Sequence, residues 1–171
     1  MSVGSGFLIR QTNVSFSRRG VIRGLHYHER GQDDLFACLQ GMARVVVLDL
    51  SSGETFTEDI GDENPVAVYI PGRHAHGFEA LTDLLFCYHV TEEYDPAEPD
   101  EHGICWNDPR VAELWSTQSP ILSERDQKNA RLADVDCQFD AQDQAKGLTG
   151  SVLQHGPVAI LAEAKKRETL Y

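Results

Sequence analysis

Positive charge is scarce in this chain. Its 15 lysines and arginines stand against 27 aspartates and glutamates, a net charge of −12. General nucleic-acid binding needs a basic face to neutralise phosphates, so this balance excludes it. Long apolar runs are missing as well, and nothing approaches the roughly 20 residues of a membrane-spanning helix. The first residues, MSVGSGFLIRQ, lack a basic stretch followed by an apolar one, so no signal peptide is expected. Cysteine is limited to Cys38, Cys87, Cys105 and Cys137, widely spaced and without a CxxC pair. Without a secretory leader, the expectation is free thiols in a reducing, cytoplasmic setting. Repeats and low-complexity tracts are absent too.

What remains is 171 residues, enough for one domain with a core of its own. From residue 7 to about 95 the pattern is short apolar stretches broken by turn residues. Val21, Leu25 and Tyr27 share one stretch, and Leu35 to Leu39 is another. Ala43 to Leu50 (ARVVVLDL) is the clearest strand, rich in β-branched residues and closed by Ser51-Ser52-Gly53. Val66 to Ile70 stops at Pro71-Gly72, and Leu84 to Val90 (LLFCYHV) precedes Asp95-Pro96. Many short strands with no helical pattern between them predict an all-β sandwich or barrel. Prolines 96, 99, 109 and 120 make 96–126 irregular. The polar tail ends in Pro157 to Tyr171, which reads as a short helix: proline suits its first turn, and Lys165, Lys166 and Arg167 suit its C-terminal end.

Histidine carries the chemical signal. Four of the seven form two H-x-H pairs, His26/His28 and His74/His76. On strands, each pair shares a face, and two pairs meeting inside a barrel could bind a divalent metal, with Asp33 or Asp34 as an acidic ligand. A second reading uses one histidine as a base beside a ketone, with a carboxylate fixing its tautomer and a tyrosine returning the proton from the other face. Tyr88 shares a strand face with Leu84, Phe86 and Val90, so it is a candidate donor; its bland alternative is a core tyrosine with a satisfied hydroxyl. Arg10, Arg18, Arg19 and Arg23 cluster near the start, either as a solvated face or as a seat for a phosphate.

Five stretches in order, RGVIRGLHY (Arg19 to Tyr27), IPGRHAHGF (Ile70 to Phe78), Tyr94 to Pro96, GICWNDP (Gly103 to Pro109) and PILSERD (Pro120 to Asp126), carry a resemblance. From about Leu8 to Asp126 the chain resembles the dTDP-4-dehydrorhamnose 3,5-epimerase family and its antibiotic-sugar relatives, whose fold is a cupin-type jelly roll. The resemblance implies an epimerase-like domain over residues 1–126 and a C-terminal extension over 127–171. It implies an isomerase that needs no cofactor and no metal, acting at C3, C5 or both of a dTDP-linked 4-keto-6-deoxy sugar, as a homodimer. By position, His26 resembles the family's base, Asp126 the carboxylate behind it and Tyr88 the proton donor. Gln11, Thr12 and Asn13 resemble the nucleotide-contacting segment and Arg23 a diphosphate-binding arginine. Tyr94 resembles the tyrosine stacked on thymine, and His76 and Glu101 resemble further ligand contacts.

The chain also departs from the family's pattern. Where the family has a lysine that helps to stabilise the C4 oxyanion, this chain has Asp34, and a carboxylate there opposes developing negative charge. His28 stands where the family often has glutamine. Only Met1 to Phe7 precede the match, whereas the family has a further N-terminal strand that reaches the neighbouring subunit's ligand. These departures keep three other readings open: a single-carbon epimerase on another nucleotide sugar, a metal-dependent cupin using His26, His28, His74 and His76, and a binding protein without catalysis. Arg23 and His26 have opposite strand parity, so reaching one ligand requires a bulge or bend, and Gly24 between them is its expected position.

Overall fold

A computed structural model describes residues 7–135 and the strands at 153–155 and 158–161. Eleven strands make up two antiparallel sheets among the described residues. In chain order they are β1 (Gln11–Ser17), β2 (Ile22–Tyr27), β3 (Asp34–Gln40), β4 (Met42–Asp49), β5 (Thr55–Gly61) and β6 (Ala67–Ile70). There follow β7 (His74–Ala80), β8 (Leu84–Val90), β9 (His102–Gly103), β10 (Leu153–His155) and β11 (Val158–Leu161). One sheet runs β1-β8-β3-β6-β11-β10 and the other β5-β4-β7-β2-β9. This is the all-β sandwich expected of a jelly roll.

Alternation along the strands explains the layering. Phe36, Val68 and Phe86 of the larger sheet and Val45, Val47 and Phe78 of the smaller one fill the space between them. Phe78 and Phe86 stack across the sandwich with ring centroids 3.9 Å apart. The other face of the smaller sheet is apolar as well. Ile22, Leu25, Val46 and Leu48 are covered there by Ile104, Val111 and Trp115 from the irregular segment after β9. Leu132 and Val135 pack against the same cluster, so the packing continues past Asp126.

The expected C-terminal helix is not what forms at its start. Val158–Leu161 is strand β11, which pairs antiparallel with β6. The stretch VAIL has the β-branched content of a strand, and the free edge of β6 offers it backbone partners. Residues 162–171 of that expectation lie outside the described residues, as does Cys137. Among the described residues no helix is long and apolar enough to cross a membrane.

Candidate active site

The parity of β2 changes where it meets β7. Arg23 pairs with Phe78, and a regular ladder would then pair Leu25 with His76; instead His26 does. The extra residue is taken up at Gly24, which has φ +117° and is followed by a cis peptide to Leu25. Gly24 and Gly77 lie so close that a Cβ on Gly24 would stand 2.7 Å from the His76 carbonyl oxygen, and one on Gly77 would stand 2.4 Å from that of Arg23. Glycine on both strands is therefore what lets Arg23 and His26 point to the same inner face.

Opposite them the larger sheet presents an aligned row. Asn13, Tyr88 and Phe36 are Cα partners across β1, β8 and β3, and Asp34 pairs with Val90 on the next inner row. Between the sheets at this end lies a pocket of about 540 Å³. His26, Tyr88, Asp126, Gln11, Asn13, Arg23, His76, Tyr94 and Glu101 all line it. Thr12 does not. Strand alternation turns it to the outer face, where its hydroxyl meets His89 Nδ1 at 2.8 Å.

His26 stands between two carboxylates. Its Nε2 lies 2.7 Å from Asp126 Oδ1 and its Nδ1 3.3 Å from Glu101 Oε1. Asp126 is buried and receives a second hydrogen bond from the Ser123 hydroxyl at 2.9 Å, while its own N–H donates to Ser123 Oγ at 3.0 Å. Burial alone would raise the Asp126 pKa; the hydrogen bond and charge of His26, with Ser123 and Arg125, outweigh it and hold the carboxyl below its ordinary value. Glu101 is held low in the same way: Arg125 Nη1 donates to its Oε2 at 2.5 Å and, with His26, outweighs burial. The Tyr88 phenol is pushed up, first by burial and then by the charges of Glu101 and Asp34, so it keeps its proton at neutral pH.

Gln11 ties the neighbouring segment down. Its Oε1 accepts from the Tyr94 backbone N–H at 2.9 Å and its Nε2 donates to Asn13 Oδ1 at 2.8 Å. The Tyr94 ring is left 56% exposed at the pocket rim, a face open to stacking. Arg23 Nε donates to Ser17 Oγ at 3.0 Å, which aims the guanidinium along the wall. Ser123 and Arg125 went unassigned in the sequence. The Ser-x-x-Asp spacing of Ser123 and Asp126, which lets a hydroxyl and a backbone N–H pair locally, was the available signal.

The four-histidine metal arrangement does not form. His26 is engaged with Asp126 and Glu101, and His74 donates Nδ1–H to the carbonyls of Pro71 and Gly72 at 3.1 and 3.2 Å. Asp33 accepts from the Tyr69 hydroxyl and the Gly72 N–H, each at 2.8 Å. His28, Asp34 and His76 do converge on the pocket wall.

The model of the dTDP-4-dehydrorhamnose 3,5-epimerase family matches residues 2–134. The chain belongs to this family. A dTDP-4-dehydrorhamnose 3,5-epimerase of Pseudomonas aeruginosa is 39% identical over 135 residues, 74% of this chain and 74% of that one. A dTDP-4-dehydrorhamnose 3-epimerase of Streptomyces niveus is 36% identical over 145 residues, 78% of this chain and 68% of its own. Among solved structures, the Legionella pneumophila epimerase in complex with dTDP-4-keto-L-rhamnose superposes with a TM-score of 0.68 at 31% identity, covering 75% of this chain and 72% of that one. Epimerases are isomerases, so the chain is a member of an enzyme family whose jelly roll it shares.

Proposed function

We propose that this protein epimerises a dTDP-linked 4-keto-6-deoxy hexose at one or both of the carbons flanking the ketone. The contact that carries this reading is the 2.7 Å hydrogen bond between His26 Nε2 and the buried Asp126. An ionised carboxylate there keeps the proton on Nε2, leaves Nδ1 to act as base and stabilises the imidazolium that forms. A proton beside a ketone is acidic enough for an imidazole because its electron pair can pass into the carbonyl. Tyr88, still protonated, delivers a proton to the opposite face of the ring. Glu101 faces Nδ1 in the free pocket, so the substrate must turn that carboxylate aside, and Arg125 is placed to keep it. Arg23 suits the diphosphate and Tyr94 the thymine. The work is expected of a dimer in the cytoplasm, with the nucleotide sugar as its partner and no organic or redox cofactor, since proton exchange beside an existing ketone requires none.

The 3-epimerase of Streptomyces niveus is so named for one carbon, and this chain has Asp34 where the family has lysine, so reaction at a single carbon is the second reading. Both are tested by incubating the protein with dTDP-4-keto-6-deoxyglucose in deuterated water and following the sugar by NMR. Deuterium at C3 and C5 supports the double reaction and at one carbon the single one. Absence of exchange with bound dTDP sugar leaves only a binding protein.

A further inference from the structure

Near His26, three lone-pair groups converge across the pocket, His28 and His76 from the side of the smaller sheet and Asp34 from the larger one, and the proton relay uses none of them. His28, Asp34 and His76 each offer one ligand atom, and these atoms all lie within 4.8 Å of one another. A carbonyl oxygen can only accept, which fixes both imidazole tautomers. His28 donates Nδ1–H to the Asp100 carbonyl and His76 donates Nδ1–H to the His74 carbonyl at 2.9 Å. Each ring is thereby left with an Nε2 lone pair for the cluster, oriented as metal-bound histidines usually are by a backbone acceptor on the far nitrogen. The Asp34 carboxylate is 2% exposed, and its Oδ2 lies 3.6 Å from His76 Nε2. Two acceptors at that range favour something positive between them. Among the described residues the Gln32 amide reaches in, with Nε2 3.0 Å from His28 Nε2 and 3.1 Å from Asp34 Oδ2. Rotating that amide exchanges a donor for an oxygen ligand.

We propose that His28, Asp34 and His76 bind a first-row transition-metal dication, with Gln32 able to add its amide oxygen and the remaining positions open to the pocket. Two imidazoles and one carboxylate select zinc, iron, nickel or cobalt over calcium and magnesium, which prefer oxygen ligands. Ligand atoms about 2.1 Å from one ion stand roughly 3.0–3.5 Å apart, so the cluster contracts by about 1 Å on loading. His28, half-buried in the loop just after β2, is the side chain freest to close that gap.

The chemical role of this ion rests on the epimerase reading; its binding does not. When His26 removes the proton, the C–H electron pair becomes the enolate double bond and negative charge gathers on the ketone oxygen. When Tyr88 protonates the carbon, the enolate oxygen re-forms the neutral ketone and the negative charge passes to the Tyr88 phenolate, balanced by the His26 imidazolium until the two exchange protons with water. A dication held by one carboxylate and two neutral imidazoles leaves a net charge of about +1 beside the oxygen, a Lewis acid for that interval. The pocket wall carries more carboxylates than arginines, which favours retention of a cation there. Asp34 then supplies positive charge to the site through its metal instead of opposing the enolate.

The test uses full-length protein purified without a metal-affinity tag, stripped with a chelator and titrated with Co²⁺ while its visible d–d absorption is read. The expected result is saturation at one equivalent per chain, with the apparent Kd raised at least about tenfold in both Asp34→Ala and His28→Ala. Asp126→Asn, which keeps all three ligands, should titrate like the unmodified protein. The His28 variant, altered at a half-buried position, carries the test if Asp34→Ala fails to fold by circular dichroism. No ligand-field band in the stripped protein, or a band unchanged in the ligand variants, overturns the site. Proton exchange into the keto sugar is then measured with and without Co²⁺. Cobalt binding with no exchange in either state leaves the site standing and removes the epimerase reading. Exchange at an equal rate in both states overturns the electrophilic role.

Discussion

At the scale of residues, the pairing of His26 with Asp126 joins positions 100 apart in sequence. Asp126→Asn keeps the shape but removes the charge that holds the tautomer and stabilises the imidazolium. Turnover should fall by about 10²–10⁴-fold, measured as initial rate of deuterium incorporation, with little change in dTDP binding. The same carboxyl sets a pH dependence of stability. Its folded pKa lies below its unfolded one, so its contribution is present above about pH 4 and is lost as pH falls through the folded value. Urea midpoints should therefore show the gap between the unmodified protein and Asp126→Asn at pH 7 shrinking by pH 3. A gap that stays constant would mean that Asp126 is no more strongly ionised when folded than when unfolded.

At the scale of elements, the β2–β7 contact decides whether there is a site. The sequence showed the conflict, since Arg23 and His26 have opposite parity, and it showed Gly24 as the place to resolve it. Gly77 gave no such signal, because its role depends on how near a second strand comes. Gly77→Ala would press a Cβ to 2.4 Å from the Arg23 carbonyl oxygen, with backbone and no flexible side chain in the way. We expect a loss of about 1–3 kcal/mol in denaturant unfolding, and exchange activity lost out of proportion to it as β2 is pushed away from β7. The strands at 43–50 and 84–90 were legible because β-branched and aromatic runs between turn residues say so directly. β1 and β5 are harder to read, since QTNVSFS and TFTEDIG mix polar and apolar residues as half-buried strands do. VAIL after a proline fits a helix start or a strand, and pairing with the edge of β6 makes it a strand.

At the scale of the whole molecule, the outer face of the larger sheet carries exposed apolar side chains among the described residues. Val14 and Phe16 on β1 are 58% and 60% exposed, and their partners Cys87 and Leu85 on β8 share that face. Leu39 at the end of β3 is 55% exposed. A row of this kind on an edge strand and its neighbour suits burial against a second copy of the chain. Phe16→Glu should weaken that dimer at least about tenfold by sedimentation equilibrium while leaving the fold intact by circular dichroism, because the side chain contributes nothing to the core. An association constant unchanged by the substitution, or a monomer in both proteins, would overturn this contact.

The sequence by itself determined the class of fold and the set of chemical groups. Periodicity two, closely spaced turn residues and five motifs in order are local properties, readable without knowing what lies nearby. It also determined the departure at Asp34, which is simply a change of residue. Only the tertiary structure decided which groups meet. It set Thr12 on the outer face while Gln11 and Asn13 line the pocket, chose Asp34 over Asp33 and left His74 out of the cluster. The reason is that such proximity depends on register, bulges and the distance between sheets, which packing of the whole core fixes and no single segment encodes.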